Sequence, residues 1–273
     1  MNFKLEEKLS MLPLMWRITR YNLFSDKNVR FRDVKYGKNK RQYYRVFEGN
    51  DNEKPLIYFI HGGGWWHGSP KMCTCIGKYF NKLGYTVVLP SYRLVPIYKY
   101  PTQIEDVFTA FSHYIEDKNF KRGIIIMGFS AGGELAANLL FNKKIHEKYN
   151  IDNKIFKKMV SISGVLDFNK CTSRHAKTLI ENYLGKNESF NGKNPVDLIS
   201  YKSHISVLCI HGDRDPLINT DNSFSFVDKI NKLQGYGKVI LIKGKHHSDM
   251  TGLLLGKGEK DSNVVLEFIK TDE

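Results

Sequence analysis

No run in this 273-residue chain approaches the ~18 consecutive apolar residues that a membrane-spanning helix requires. The longest near the start, Leu9–Trp16, has eight residues and is broken by Pro13. It follows Glu6-Glu7-Lys8 and no small-residue cleavage site comes after it, so no signal peptide and no stable membrane insertion are expected. Cysteine is equally scarce. Cys73, Cys75, Cys171 and Cys209 form no C-x-x-C pair, and Cys73-Thr-Cys75 is too tight for a zinc ribbon. So few thiols in a chain of this size exclude a disulfide-stapled scaffold and suggest a reducing, cytoplasmic setting. Eight prolines and 22 glycines without a period exclude collagen-like and low-complexity classes. H-E-x-x-H is absent, as is any phosphate-cradling glycine loop followed by Lys-Ser/Thr. No cofactor and no metal are therefore expected.

Acidic residues are the remaining shortage: 28 Asp and Glu against 42 Lys and Arg leave a net charge of +14. Such an excess suggests nucleic acid only where it forms a patch or belongs to a recognition motif. Here the densest stretch, Lys35–Arg41, reads as a turn between strands, and many lysines sit beside asparagines, as in Gly-Lys-Asn at 37–39, 185–187 and 192–194. That pattern describes solvated loops, and no nucleic-acid partner is expected.

What remains is an ordinary globular composition, 41% hydrophobic and 26% charged. Apolar, β-branched runs alternate with amphipathic stretches, the pattern of a mostly parallel sheet with helices on both faces. Strands are expected at Val29–Tyr36, Gln42–Phe47, Leu56–Ile60, Tyr85–Leu89, Ile124–Gly128, Lys158–Ser163, Ser206–Ile210 and Lys238–Ile242. Helices are expected at Pro70–Leu83, Pro101–Lys118, Ala131–Phe141, Asn219–Leu233 and Asn263–Ile269. Residues 1–28 and 169–204 stand outside this rhythm. We expect a single domain over 1–273, with these two segments as small cap elements.

Four motifs fall at strand ends. Gly128-Phe-Ser130-Ala-Gly132 lies between an apolar strand and a helix, the setting in which G-x-S-x-G lifts a serine hydroxyl above a sheet. His61-Gly-Gly-Gly-Trp65 follows the strand at 56–60 and can bring backbone N–H groups to a developing oxyanion. His211-Gly-Asp213-Arg-Asp215 offers an acid after the strand at 206–210, and Lys245-His246-His247-Ser-Asp249 offers a base after the last strand. The order serine, aspartate, histidine is the one an α/β-hydrolase arrangement needs.

On these motifs the sequence resembles the α/β-hydrolases of the esterase/lipase group with an HGGGW loop, hormone-sensitive-lipase-like and acetyl-esterase-like enzymes. The likeness runs over roughly residues 29–270. Ser91-Tyr-Arg-Leu94, Tyr100–Asp106 and Ser163–Asp167 resemble connecting segments of the same group, so Arg93 and Asp106 are taken as scaffold. The resemblance implies an α/β-hydrolase fold, with Ser130 as nucleophile and the N–H groups of Gly63, Gly64 and Ala131 as oxyanion hole. Its acid pattern, Gly-x-x-Asp-x-x-aliphatic, fits Gly212, Asp215 and Ile218 and favours Asp215 over Asp213, which becomes a turn residue. Of the adjacent histidines, His247 is favoured over His246 because Met250 and Leu254 would then anchor the short helix that follows. His61, His67 and His211 are read as loop-holding residues, and Trp65 and Trp66 as packing of the oxyanion loop.

The implied activity is hydrolysis of a small-molecule carboxylic ester through an acyl-enzyme. Short acyl chains are favoured, because no sequence run lines a long channel and Trp65, Trp66 and Ile97–Tyr100 are available to close the acyl side. An amidase, arylformamidase or peptidase on the same triad is the alternative, since kynurenine-formamidase-like enzymes also carry a His-Gly-Gly loop. A non-catalytic binding protein on this fold is the alternative of another class.

Overall fold

The computed structural model describes residues 16, 19–20, 22, 28–116, 122–254 and 260–271. The N-terminal segment expected to act as a cap element, residues 1–28, lies almost wholly outside them.

Among the described residues eight strands form one sheet: β1 (Arg32–Lys35), β2 (Tyr43–Phe47), β3 (Leu56–Ile60), β4 (Val87–Pro90), β5 (Ile124–Phe129), β6 (Phe156–Ile162), β7 (Ser206–Gly212) and β8 (Gly237–Ile242). Their spatial order is β1-β2-β4-β3-β5-β6-β7-β8. β2 runs antiparallel to both of its neighbours, and every other pairing is parallel. Parallel strands covered on both faces must be apolar throughout, and Leu56–Ile60 and the first five residues of β5 are buried without a break.

Alternate residues of each strand feed two cores. Leu56, Tyr58, Ile60, Ile124 and Ile126 pack with α2 (Thr102–Ile115), α3 (Ala131–Phe141) and α6 (Asp221–Lys232). Ile57, Phe59, Ile125 and Met127 pack on the opposite face with α1 (Thr74–Lys82) and α7 (Lys260–Lys270). Among the described residues no helix is long and apolar enough to cross a membrane.

The expected elements are present, with shifted edges. The helix expected from Pro70 starts at Thr74, because Met72 and Cys73 donate three residues back, to Ser69 O and Pro70 O, and form turns first. A helix not expected from the sequence, α4 (Lys143–Tyr149), is short and lysine-rich. Its start is set by Asn142, whose side chain accepts from Ile145 N, and its end by Asn150 in the left-handed region. Within 169–204, the weak periodicity corresponds to α5 (Arg174–Leu184), capped by the Ser173 hydroxyl accepting from Ala176 N. Its buried stripe is Ala176, Ile180, Tyr183 and Leu184.

Candidate active site

Ser130 sits between β5 and α3 with φ 53° and ψ −120°, a strained backbone for a residue bearing a side chain. The flanking glycines explain how the turn closes. A Cβ on Gly128 would meet Gly132 O at 2.2 Å, and one on Gly132 would meet Ile60 O at 2.2 Å. The turn is tied to β6 by Ser130 N donating to Ile162 O at 3.0 Å.

Asp215 and His247 arrive from the loops after β7 and β8. His247 Nε2 lies 2.9 Å from Ser130 Oγ, and its Nδ1 lies 2.6 Å from Asp215 Oδ2. The other carboxylate oxygen, Oδ1, accepts from Leu217 N at 3.0 Å and Ile218 N at 2.9 Å. Burial pushes the Asp215 carboxyl upward, but attraction to His247 and hydrogen bonds from His211 and His247 outweigh it and hold the group well below the usual carboxylate range. His247 is thus held by an ionised partner.

The neighbouring alternatives are engaged elsewhere. Asp213 Oδ1 accepts from Gly244 N at 2.6 Å and joins two loops as a turn residue. His246 has a side chain 31% exposed, with Nδ1 3.6 Å from Asp249 Oδ2. Met250 and Leu254, the residues that favoured His247, are buried in the 3₁₀ helix Ser248–Leu254.

The glycine loop runs against the serine: a Cβ on Gly62 would stand 3.1 Å from Ser130 Cβ. Gly63 and Gly64 adopt φ of 116° and 58°, and Gly63 O accepts from both Trp66 N and His67 N at 3.0 Å. Among the described residues, none of the N–H groups of Gly63, Gly64 and Ala131 donates to another group. His61 is buried beneath the loop, its ring stacked on Tyr92 at 4.3 Å, and burial pushes its pKa down to about 3, so it is neutral. Arg93 and Asp106 form a bidentate ion pair at 2.8 Å, as scaffold residues would.

Ser130, His247 and Gly62–Trp65 open onto a cavity of about 570 Å³. One part of its wall comes from Phe59, Ile76, Met250 and Leu254, another from His175, Ala176, Leu179 and Ile180 of α5. The two adjacent tryptophans separate. Trp65 is buried and lines the cavity, whereas Trp66 is 47% exposed and does not line it. Ile97–Tyr100 does not line the cavity either, and Ile97 faces solvent.

Two contributors were not singled out from the sequence, Glu134 and Tyr183. Trp65 Nε1 donates to Glu134 Oε2 at 3.0 Å, and the Tyr183 ring stacks on Trp65 at 4.2 Å. The one charged residue in the mostly apolar run Ala131–Phe141 was the available signal.

The family model BD-FAE matches residues 45–230. The chain belongs to the BD-FAE family. Its fold is that of the α/β-hydrolases, and the HGGGW loop places it with their esterase/lipase group. This BD-FAE member is 30% identical to arylacetamide deacetylase of Bos taurus over 138 residues, 47% of this chain and 35% of the deacetylase. The chain thus spans about a third of that relative's length. Kynurenine formamidase of Drosophila melanogaster aligns over 98% of this chain and 91% of its own, at 24% identity. Among solved structures, inhibited esterase B of Lactobacillus rhamnosis superposes with a TM-score of 0.76 at 17% identity, covering 96% of this chain and 93% of that one. The last comparison concerns the fold alone.

Proposed function

We propose that the protein hydrolyses carboxylic esters through an acyl-enzyme on Ser130, with His247 as general base and Asp215 as its orienting acid. The observation that carries this reading is the continuous relay Ser130 Oγ, His247, Asp215, at 2.9 and 2.6 Å. Its distances suit proton transfer in both directions. His247 Nε2 takes the hydroxyl proton as Oγ attacks the ester carbonyl carbon. The carbonyl oxygen becomes the oxyanion and is stabilised by the N–H groups of Gly63, Gly64 and Ala131, an effect of ~3 kcal/mol per donor. His247 then gives the proton to the leaving alkoxide, and the alcohol departs. Water repeats the cycle, releasing the acid and restoring Ser130. Asp215 stays ionised and stabilises the imidazolium.

The acyl group is proposed to be short. A cavity of about 570 Å³ has to hold both halves of the ester, and α5 closes one side of it, with Leu179 against Gly64. In this role α5 acts as the cap.

A second reading has specific support: the kynurenine formamidase of Drosophila melanogaster aligns over nearly the whole chain. The same residues would then cleave an N-formyl amide, with His247 protonating a leaving amine. The test is turnover of p-nitrophenyl esters from acetate to decanoate beside an N-formyl aromatic amide, in wild type and Ser130→Ala. Ester turnover abolished in the alanine variant, with a serine-reactive phosphonate labelling only the wild type, is the expected result. Faster turnover of the formyl amide transfers the assignment to the second reading. Full activity in Ser130→Ala would overturn both.

A further inference from the structure

Glu134 lies four residues after Ser130 on α3, is fully buried, and makes no ion pair among the described residues. Three side chains converge on its carboxyl group instead. Trp65 Nε1 donates to Oε2 at 3.0 Å, Asn138 Nδ2 donates to Oε1 at 2.7 Å, and the Tyr183 hydroxyl stands 3.3 Å from both oxygens. Trp65 ends the glycine loop, Asn138 belongs to the nucleophile helix, and Tyr183 belongs to α5. Tyr183 also stacks face to face on Trp65, with an interplanar angle of 5°, and its carbonyl accepts from Tyr100 N at 3.0 Å. One carboxyl group therefore joins three elements, the glycine loop, α3 and α5.

The geometry points to Glu134 as a positioning residue that fixes the oxyanion loop through Trp65 and locks α5 to it through Tyr183. Its kinetic consequence rests on the ester-hydrolysis reading. Trp65 itself sits at φ 59°, a conformation that the surroundings must hold in place for a bulky residue. The indole anchor supplies that restraint directly after Gly63 and Gly64. A buried, uncompensated carboxyl is a costly choice for mere packing. Burial pushes its pKa up to about 8, against the hydrogen bonds from Trp65 and Tyr183, so near neutral pH the group holds its proton. The titratable groups facing it are tyrosines: Tyr183 from α5, and Tyr92 and Tyr100 from the segment between β4 and α2. Tyr183 can donate or accept and so serves either protonation state.

The test compares Glu134→Leu and Glu134→Gln with wild type on p-nitrophenyl acetate and with a serine-reactive phosphonate. The leucine variant should lose kcat by roughly 30- to 100-fold, part of what removal of an oxyanion donor costs. Its KM should change less than kcat, since the oxyanion that the loop donors meet forms only in the transition state. Phosphonate inactivation should slow in parallel, and Glu134→Gln, which keeps an acceptor for Trp65, should restore most of both rates. A folded leucine variant with wild-type kcat overturns the proposal while leaving Ser130 as nucleophile. A second arm does not depend on turnover. In a Trp16→Phe/Trp66→Phe background the remaining tryptophan, Trp65, should show shifted emission in Glu134→Leu, which removes its acceptor, and near wild-type emission in Glu134→Gln. Identical Trp65 emission in the Glu134 and Glu134→Leu proteins overturns the proposal, even if no substrate is found.

Discussion

His211 Nε2 stands 3.1 Å from Asp215 Oδ2, the same oxygen that meets His247 Nδ1 at 2.6 Å. His211 also contacts Ile218 O at 2.9 Å through Nε2 and the Ser223 hydroxyl at 2.8 Å through Nδ1. With the proton on Nε2, the ring donates to Asp215 and Ile218 O and accepts from Ser223. It thereby holds the same Asp215 oxygen that His247 engages. A hydrogen bond to a charged group contributes ~1.5–3 kcal/mol. His211→Phe should therefore lower kcat by roughly tenfold or more, with KM nearly unchanged. Wild-type kcat in a folded His211→Phe variant would show that the two backbone N–H groups on Oδ1 suffice to orient Asp215.

The assignment among paired candidates can be read by substitution. Asp215→Asn should cost roughly 10³- to 10⁴-fold in kcat, because an amide holds the wrong imidazole tautomer. His247→Ala should cost as much or more. Asp213→Asn and His246→Ala should stay within about tenfold, since Asp213 accepts from Gly244 N and His246 lies beside Asp249. An inactive His246→Ala beside an active His247→Ala would reverse the roles of the two histidines.

The glycine loop tolerates little. A Cβ on Gly63 would meet His67 O at 2.2 Å, and Gly63 already sits at φ 116°. Gly63→Ala should therefore lose at least 100-fold in kcat, the cost of an oxyanion donor, and some stability as well. Gly64 differs: at φ 58° its added Cβ would meet the Leu179 methyls at 3.0 Å, the movable end of a side chain. Gly64→Ala should be milder, and adding Leu179→Ala should recover part of its loss. Equal kcat for Gly64→Ala with and without Leu179→Ala would show that backbone strain, and not the α5 contact, sets the cost.

Local sterics made the elbow legible. Gly128 is required by an approach within one turn and Gly132 by the neighbouring strand β3, and the strands around them are continuous apolar runs. The choice between Asp213 and Asp215, or between His246 and His247, turns on which way a loop side chain faces, which a spacing pattern only favours. Trp65 and Trp66 are indistinguishable by composition, yet one is buried by Tyr183 and the other meets solvent. That partner comes from α5, far along the chain, and the Met250 and Leu254 that line the cavity with Phe59 are likewise distant from it in sequence. Contacts of that range leave no periodic trace. Glu134 did leave one, as a lone charge in an apolar helix, but its meaning depends on the same distant partners.

The raised pKa of Glu134 has a consequence for stability. Between the ordinary carboxyl value of 4.5 and about 8, the unfolded chain has lost this proton while the folded protein keeps it. Over that window stability falls as pH rises, and the contribution is fully lost above the folded pKa. Glu134→Gln removes the titration. Denaturant midpoints measured from pH 5 to 9 should show the glutamine variant gaining on wild type up to about pH 8, then a constant difference. A difference independent of pH would mean that the carboxyl is not confined in its protonated form.

We expect acyl length to be set by how the cavity is divided. Each methylene gains ~0.8 kcal/mol only while apolar wall remains to receive it. Leu179 and Ile180 close one side, and the volume of about 570 Å³ is shared with the alcohol. Beyond a few carbons the chain competes with the leaving group for the same wall or displaces α5, whose Tyr183 is held by Glu134 and Trp65. We therefore expect kcat/KM at a fixed p-nitrophenol leaving group to peak between acetate and butyrate and to fall by octanoate. The opposing consideration is the apolar surface of Phe59, Ile76, Met250 and Leu254, which the sequence did not reveal as a continuous wall. A maximum at octanoate or beyond would show that this side takes the acyl chain alone, with the alcohol directed under α5. Met250→Trp, which fills that wall, would then shift the maximum back toward short chains.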